Sequence, residues 1–103
     1  MEARIVMVTA PEGEKTYAMA AELVSSQAAM CVNIIPSVTS IYTWEGKIET
    51  GQESLLIIKT PAHRLSELEA KVLALHPYDT PEFMVLKPSE VNDKYLRWLN
   101  GAQ

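Results

Sequence analysis

The chain has 103 residues, of which 48% are hydrophobic and 21% are charged, a balance typical of one folded domain and too apolar for a disordered protein. Its net charge is -4 and its nine lysines and arginines are scattered, which argues against a nucleic-acid-binding protein, because such proteins concentrate basic residues on one face. A single cysteine excludes an intrachain disulfide and favours a reducing compartment. Since neither a signal-peptide core nor a membrane-spanning run is evident, we expect one soluble cytoplasmic domain over residues 1–103.

The first predicted elements are a strand and a helix. Residues 5–8 form a mostly β-branched run, which predicts a strand. Thr9 and Glu12 have the spacing of a capping box and Pro11 suits a first helical turn, so a helix should follow at once. Apolar side chains then recur at helical spacing over residues 15–30, which predicts a helix packed against a sheet.

A long hairpin is predicted next. Residues 31–44 are rich in β-branched and aromatic side chains, and Pro36 within them predicts a bulge or a bend. Glu45 and Gly46 supply a turn, after which residues 47–59 form the returning strand. Because strands are usually about five or six residues long, both arms should extend past the body of the domain, and self-association would cover them.

The second half of the chain repeats the helix and strand signals. Thr60 is a candidate cap and Pro61 a candidate first residue for a second helix that runs to about His76. Residues 83–86 read as a short buried strand, and Ser89 can cap a final helix.

The order β-α-β-β-α-β-α predicts an α+β protein with a ferredoxin-like βαββαβ sandwich and a C-terminal helix. In this fold both main helices cover the same face of the sheet. Only the short last helix remains to shield the other face, so we expect subunits to associate through their sheets and hairpins in a closed ring.

The candidate metal ligands lie mainly in a proline-bounded loop, residues 76–82. His76 is a borderline ligand that suits copper or zinc, and Asp79 or Glu82 could add oxygen donors. The alternative is that His76 makes a structural hydrogen bond within the loop, since the sequence contains no multidentate metal motif. A site shared between subunits is favoured over a site within one protomer.

Cys31 is the remaining candidate metal ligand. It begins an apolar strand, where a cysteine most often acts as a small buried hydrophobe, and no basic residue adjoins it in sequence. Nucleophilic catalysis would need a base such as His76 within reach and an oxyanion-binding turn, and no glycine-bearing nucleophile elbow is present. We therefore expect a protein that is not an enzyme.

A second candidate site is an intersubunit pocket with aromatic walls. Its candidate ligand-binding residues are Trp44 and Tyr78, with Lys59 and Glu82 as polar anchors. Lys59 ends an apolar strand, where its ammonium group needs water, a carboxylate such as Glu82, or an anionic ligand. Ordinary packing is the alternative for most of the aromatic residues, which are Tyr42, Trp44, Tyr78, Tyr95 and Trp98.

Several phrases of the sequence together resemble the CutA divalent-cation tolerance family over residues 8–99. They include Ala-Met-Cys-Val-Asn-Ile-Ile-Pro at 29–36, Thr-Ser-Ile-Tyr-Thr-Trp-Glu-Gly-Lys at 39–47 and Leu-His-Pro-Tyr-Asp-Thr-Pro-Glu at 75–82. The resemblance implies a ferredoxin-like protomer and a homotrimer whose long hairpins pair between subunits. It also implies binding of copper or other divalent cations by cysteine and histidine, although Val8 and Leu75 occupy two positions at which some relatives carry such ligands.

The leading functional hypothesis is therefore a non-catalytic cytoplasmic homotrimer that binds divalent cations, with copper as the expected ion, and takes part in metal tolerance or homeostasis. One alternative is a trimeric small-molecule sensor of the PII type, although none of the four glycines forms a phosphate-binding loop. Another is a structural trimer that anchors a protein partner.

Overall fold

The computed structural model describes residues 1–101, so the last two residues of the predicted domain lie outside the described part. Four strands and three α-helices alternate along the chain, and a short 3-10 turn, Ala62–Arg64, precedes the second helix. The elements are β1 (Ala3–Ala10), α1 (Glu14–Ser25), β2 (Cys31–Trp44), β3 (Lys47–Pro61), α2 (Leu65–Leu75), β4 (Met84–Leu86) and α3 (Asp93–Leu99). Within residues 1–101, none of these helices combines the length and the apolar character needed to cross a membrane.

The four strands form one sheet in the order β2-β3-β1-β4, and every neighbouring pair is antiparallel. In this order β3 lies between β1 and β2, and α1 connects β1 to β2. Helix α2 connects β3 to β4, which lies at the opposite edge of the sheet beside β1. This is the split βαβ arrangement of a ferredoxin-like fold. The α+β class, the ferredoxin-like topology, the long hairpin and the C-terminal helix are all confirmed.

The core lies between the helices and one face of the sheet. Along β1 and β3 the burial alternates with a period of two, because successive side chains of a strand point to opposite faces. The largest fully buried side chains are mostly aliphatic and come from both layers: Val6, Val8, Leu23, Leu56, Ile58, Leu68, Val72 and Leu99. We refer to the opposite face of the sheet, which these helices do not cover, as the open face.

The hairpin of β2 and β3 extends beyond the rest of the sheet. β1 pairs only with the part of β3 from Ser54 onwards, so residues 38–53 form a two-stranded ribbon, which we call the hairpin arm. Glu45 and Gly46 at its tip both have positive φ, as a tight hairpin turn requires. The bulge predicted from Pro36 is confirmed, since the register shifts between Ile35 and Val38.

The start and end of the first helix differ from the prediction. α1 begins at Glu14 after Gly13, whose φ of 119° needs a glycine, and Glu12 instead accepts a hydrogen bond from the backbone N–H of Ser37. The helix ends at Ser25, because Gln27 takes a left-handed conformation. The capping-box prediction was wrong because the carboxylate of Glu12 is bonded to the bulge of β2.

The predicted cap of the second helix was also wrong. Thr60 is fully buried, and its hydroxyl donates to the carbonyl oxygen of Ala28 at 3.0 Å, so it ties β3 to the loop after α1. Pro61 remains in extended conformation at the end of β3. Regular α-helical geometry therefore starts only after this buried anchor and the 3-10 turn, at Leu65.

Two features near the C-terminus depart from the sequence prediction. The cap of α3 is Asn92, whose side-chain oxygen accepts from the backbone N–H of Tyr95 at 2.9 Å, and not Ser89. Strand β4 was predicted to be buried, but Met84, Val85 and Leu86 are each more than 40% exposed in the single chain. It lies at the edge of the sheet beside β1, and within residues 1–101 no further strand pairs with its outer side.

Candidate functional site

A cavity of about 360 Å³ lies where the open face meets the proline-bounded loop. Strand β1 contributes Thr9, β3 contributes Glu53, and the hairpin arm contributes two aromatic side chains. The full lining is Thr9, Tyr42, Trp44, Glu53, Tyr78, Asp79, Thr80 and Glu82. Tyr42, Trp44 and Glu53 share the open face because they lie at alternate positions after the bulge at Pro36 has reset the register of β2.

His76 fixes the loop to the sheet. Its Nε2–H donates to the carbonyl oxygen of Thr9 at 2.8 Å, and its Nδ1 accepts from the backbone N–H of Tyr78 at 3.1 Å. The carbonyl group can only accept and the amide can only donate, so these two bonds define the neutral tautomer with its proton on Nε2. Both ring nitrogens are engaged and the residue is 7% exposed, as the structural alternative for His76 predicts.

Tyr78 connects this loop to the base of the hairpin arm. Its hydroxyl donates to Oε2 of Glu53 at 2.7 Å, and its ring lies 4.7 Å from the ring of His76. Burial, together with the neighbouring Glu53 carboxylate, raises the pKa of Tyr78 to about 12. The phenol therefore stays protonated at neutral pH and keeps donating to Glu53.

The charged groups of the cavity are carboxylates. Burial and the nearby Glu53 carboxylate raise the pKa of Glu82, because both disfavour its ionised form. Asp79 adds a third carboxyl group to the lining. Among the residues of 1–101 that line this cavity, none is lysine, arginine or histidine, so its lining combines carboxyl groups with aromatic rings.

Three of the four residues predicted to bind a ligand lie together here, namely Trp44, Tyr78 and Glu82. The fourth, Lys59, is elsewhere on the open face. Lys59 pairs with Cys31 of β2, whereas Leu55 pairs with Thr9, which lines the cavity. Lys59 and Leu55 are four residues apart along β3, a separation of roughly 13 Å. Tyr95 and Trp98, from the wider aromatic set, pair with each other on α3 with ring centroids 5.5 Å apart.

The three predicted metal ligands do not meet within one chain. Cys31 is the cross-strand neighbour of Lys59, and its thiol lies 3.7 Å from Oδ1 of Asn33. His76 lies beside Thr9, at the opposite end of β1. Glu82 lines the cavity, but His76 does not, and its Nε2 is bonded to the backbone carbonyl of Thr9. Among the described residues, no three His, Cys, Asp or Glu side chains are grouped so that they could hold a metal ion.

Sequence reasoning did not single out Thr9, Glu53 or Thr80 as site residues. Glu53 carried one usable signal, because it is an acidic residue on the strand face that also carries Leu55 and Ile57. Thr9 was read as a helix cap, and its role here comes from its backbone carbonyl and its position at the end of β1. These roles depend on register and loop placement, which the local sequence pattern does not specify.

Comparison with known proteins identifies the family. A sequence model described as CutA1 divalent ion tolerance protein matches residues 4–102. The chain belongs to this family. Its resemblance to CutA proteins, first noted in the phrases around Cys31, Trp44 and His76, is thereby confirmed.

Individual CutA relatives agree over nearly the whole chain. The divalent-cation tolerance protein CutA of Thermus thermophilus is 44% identical over 95 residues, which cover 92% of each chain. The rice protein CutA 1, chloroplastic, is 44% identical over 98 residues, and the chain spans 55% of the length of that relative. The crystal structure of CutA1 from rice superposes with a TM-score of 0.94 at 42% identity and covers 99% of this chain and 94% of the other.

Proposed function

We propose that this CutA-family protein is a non-catalytic homotrimer that binds divalent cations and acts in metal tolerance or homeostasis. Family membership supports the divalent-cation role. The observation that carries the assembly part of the proposal is the hairpin arm, which is too long for the sheet of one chain to cover. We take copper as the expected ion and the cytoplasm as the expected compartment.

The edges of the sheet support the homotrimer. Strand β2 is an edge strand over its whole length, Cys31–Trp44, and an exposed edge of that length is a template for pairing with another chain. Several large apolar side chains of the arm are also exposed in the single chain, with Ile41 at 71% and Ile48 at 77%. Association of identical subunits around a closed ring would cover both the edge and the apolar side chains without leaving an open end.

Copper binding would use ligands from more than one subunit. Cys31 offers a partly exposed thiol near the Asn33 amide at one end of the open face, and thiolate sulfur is a favoured donor for copper. His76 would have to exchange one of its two hydrogen bonds for a metal bond, and Glu82 would add an oxygen donor. We infer that these groups act together only where open faces of neighbouring subunits meet.

The non-catalytic part of the proposal follows from the surroundings of Cys31. Its thiol contacts the Asn33 side chain, and the neighbouring residue across the ladder is Lys59. The histidine that could serve as its base is held at the other end of the sheet by Thr9. A thiol nucleophile needs a base within hydrogen-bond reach, so this arrangement favours binding over acyl-transfer chemistry.

The small-molecule sensor alternative needed Lys59 as a cationic anchor for an anionic ligand. Lys59 does not line the cavity, and the carboxylates that do line it would repel an anion. The structure therefore does not support a sensor that binds an anionic ligand in this cavity. A trimer that anchors a protein partner remains an alternative without a specific contact in its favour.

The test is calorimetric titration of chelator-stripped protein with Cu²⁺ and Zn²⁺. We expect Cys31→Ser and His76→Gln to weaken copper binding, because each substitution removes a proposed donor. His63→Gln is the matched control, since His63 is the only other histidine of the sequence. If all three variants bind copper as the wild type does, Cys31 and His76 are not ligands and this part of the proposal fails.

A further inference from the structure

The bulge of β2 lies where the sheet narrows to the hairpin arm. At this point β2 contributes two residues, Pro36 and Ser37, opposite the single residue Ser54 of β3. On its other side Ser54 pairs with Ala10, the last residue of β1. Within residues 1–101, the hairpin arm beyond this row has no third strand beside it. Because a bulge bends its strand, the direction of the arm is decided here.

Ser37 is the residue of the bulge with an unusual backbone conformation. Its φ of 60° lies in the left-handed region, which serine adopts less readily than glycine or asparagine. Its backbone N–H donates a hydrogen bond to the carboxylate of Glu12, 25 residues earlier in the chain. Pro36 has no N–H, so this bond, which we call the Glu12 clamp, satisfies the only backbone donor that the two bulge residues possess.

Glu12 projects from a restrained loop between β1 and α1. Pro11, which precedes it, has a fixed φ, and its carbonyl oxygen accepts a hydrogen bond from the hydroxyl of Thr16. Thr16 is only 5% exposed and belongs to the buried side of α1. The helix itself begins at Glu14, directly after Gly13. The backbone of Glu12 is therefore tied to the body of the domain on both sides.

The Glu12 clamp reaches across the sheet. Its loop continues from β1, whereas Ser37 belongs to β2, and β3 lies between these two strands. Neighbouring strands are about 4.8 Å apart, so the clamp joins the chain at two strands that are roughly 10 Å apart. Pairing with β3 alone does not fix the direction of the arm, because the two strands of a ribbon can bend together. A bond from β2 to the far side of β3 opposes that bending.

We propose that Glu12 is a positioning residue that fixes the direction of the hairpin arm relative to the body of the domain. Its bond to Ser37 holds the bulge in the left-handed conformation and prevents the arm from bending at its base. In the proposed trimer, an arm that is already fixed loses less conformational freedom when it meets a neighbouring copy. The inference rests on the proposed function only for this last consequence, because the clamp itself lies within one chain.

Amide hydrogen exchange of the full chain, resolved by segment, tests this role. Glu12→Ala removes the clamp, and exchange in residues 38–44 should become about tenfold faster, the effect expected for loss of a hydrogen bond to a charged group. Exchange in residues 4–9 of β1 should not change, because that strand is paired on both sides. Glu12→Gln keeps an acceptor oxygen without the charge and should give a smaller increase.

Two further variants separate positioning from general stabilisation. Glu69→Ala, at an exposed position of α2, removes a carboxylate far from the bulge in sequence and should leave exchange in both segments unchanged. Ser37→Asn introduces a side chain that adopts the left-handed conformation more readily, so the bulge keeps its shape with less help. In the Ser37→Asn background, Glu12→Ala should therefore speed exchange of the arm by a smaller factor than in the wild type.

Three results would overturn the proposal. The first is unchanged exchange of the arm in Glu12→Ala, and the second is an equal increase in the arm and in β1, which would reflect a general loss of stability. The third is an equal effect of Glu12→Ala with and without Ser37→Asn. Sedimentation of the same wild-type sample tests the assembly separately. A monomer whose arm depends on Glu12 would contradict the trimer alone, and a trimer whose arm does not would contradict the clamp alone.

Discussion

The two halves of strand β3 differ in burial and in the number of strands that they pair with. From Ser54 to Thr60 every second side chain is buried beneath the helices, whereas residues 47–53 are exposed or only half-buried. Both halves continue the same antiparallel ladder with β2. Only the half from Ser54 onwards also pairs with β1, so the two halves differ both in their hydrogen-bonded neighbours and in what covers the sheet. Since an isolated two-stranded ribbon is marginally stable in water, the hairpin arm needs packing that one chain does not supply.

The largest expected effect is a loss of packing in the covered half. Leu56→Ala removes a side chain that is fully buried between β3 and the helices, and should lower the free energy of unfolding by about 2–5 kcal/mol. Urea unfolding at one fixed protein concentration measures this change. Leu73→Ala, on the half-exposed outer side of α2, is the matched control and should cost less. Equal losses would mean that the covered half is not the stable part of the molecule.

A smaller effect is expected at the buried end of β3. Thr60→Val removes the hydroxyl that donates to the carbonyl of Ala28 and leaves that carbonyl without this partner. The free energy of unfolding should fall by about 1–3 kcal/mol. Thr50→Val, on the exposed arm, is the control for the same chemical change and should have little effect. A Thr60→Val protein as stable as the wild type would show that this anchor is not needed to hold β3.

The hydroxyl of Tyr78 provides a weaker link between the loop and the arm. Tyr78→Phe removes its bond to Glu53 while keeping the ring beside His76, and should lower stability by about 0.5–1 kcal/mol. Tyr17→Phe on the exposed side of α1 is the control and should leave the unfolding midpoint unchanged. If the two variants behave alike, the loop does not support the base of the arm.

The smallest effect is a dependence of stability on pH. Burial and the nearby Glu53 carboxylate raise the folded-state pKa of Glu82 from its usual value of 4.5. Stability is therefore lost as pH rises above that usual value, where the unfolded chain ionises first, and the loss is complete once the folded carboxyl also ionises. Below about pH 4.5 the group is protonated in both states and the penalty vanishes. Glu82→Gln should therefore raise the melting temperature slightly at pH 7 and leave it unchanged near pH 4. The opposite pH dependence would contradict a raised pKa.

The sequence allowed most of the fold to be predicted because its strongest signals are local. The β-branched runs, Pro36 and the Glu45-Gly46 turn specify a bulged hairpin that the structure confirms. The helix starts were less predictable, since Glu12 and Thr60 have capping chemistry but use it in contacts with distant residues. Their partners are 25 and 32 residues away, beyond any local pattern.

The candidate site could be predicted only in part. Trp44, Tyr78 and Glu82 stood out by residue type in short segments, and all three line the cavity. Glu53 became part of it through the register of β3, and Lys59 lies outside it through the same register. Residue type alone indicated a polar aromatic pocket, but its acidic character required the three-dimensional structure.

Sedimentation equilibrium at micromolar protein concentration tests the central claim most directly. The contrast between the covered and uncovered halves of β3 leads us to propose that neighbouring copies cover the hairpin arm and the open face. The account predicts one species with three times the mass of a single chain. A monomer at that concentration would contradict it, because the arm would then be stable without the packing that the trimer is proposed to supply.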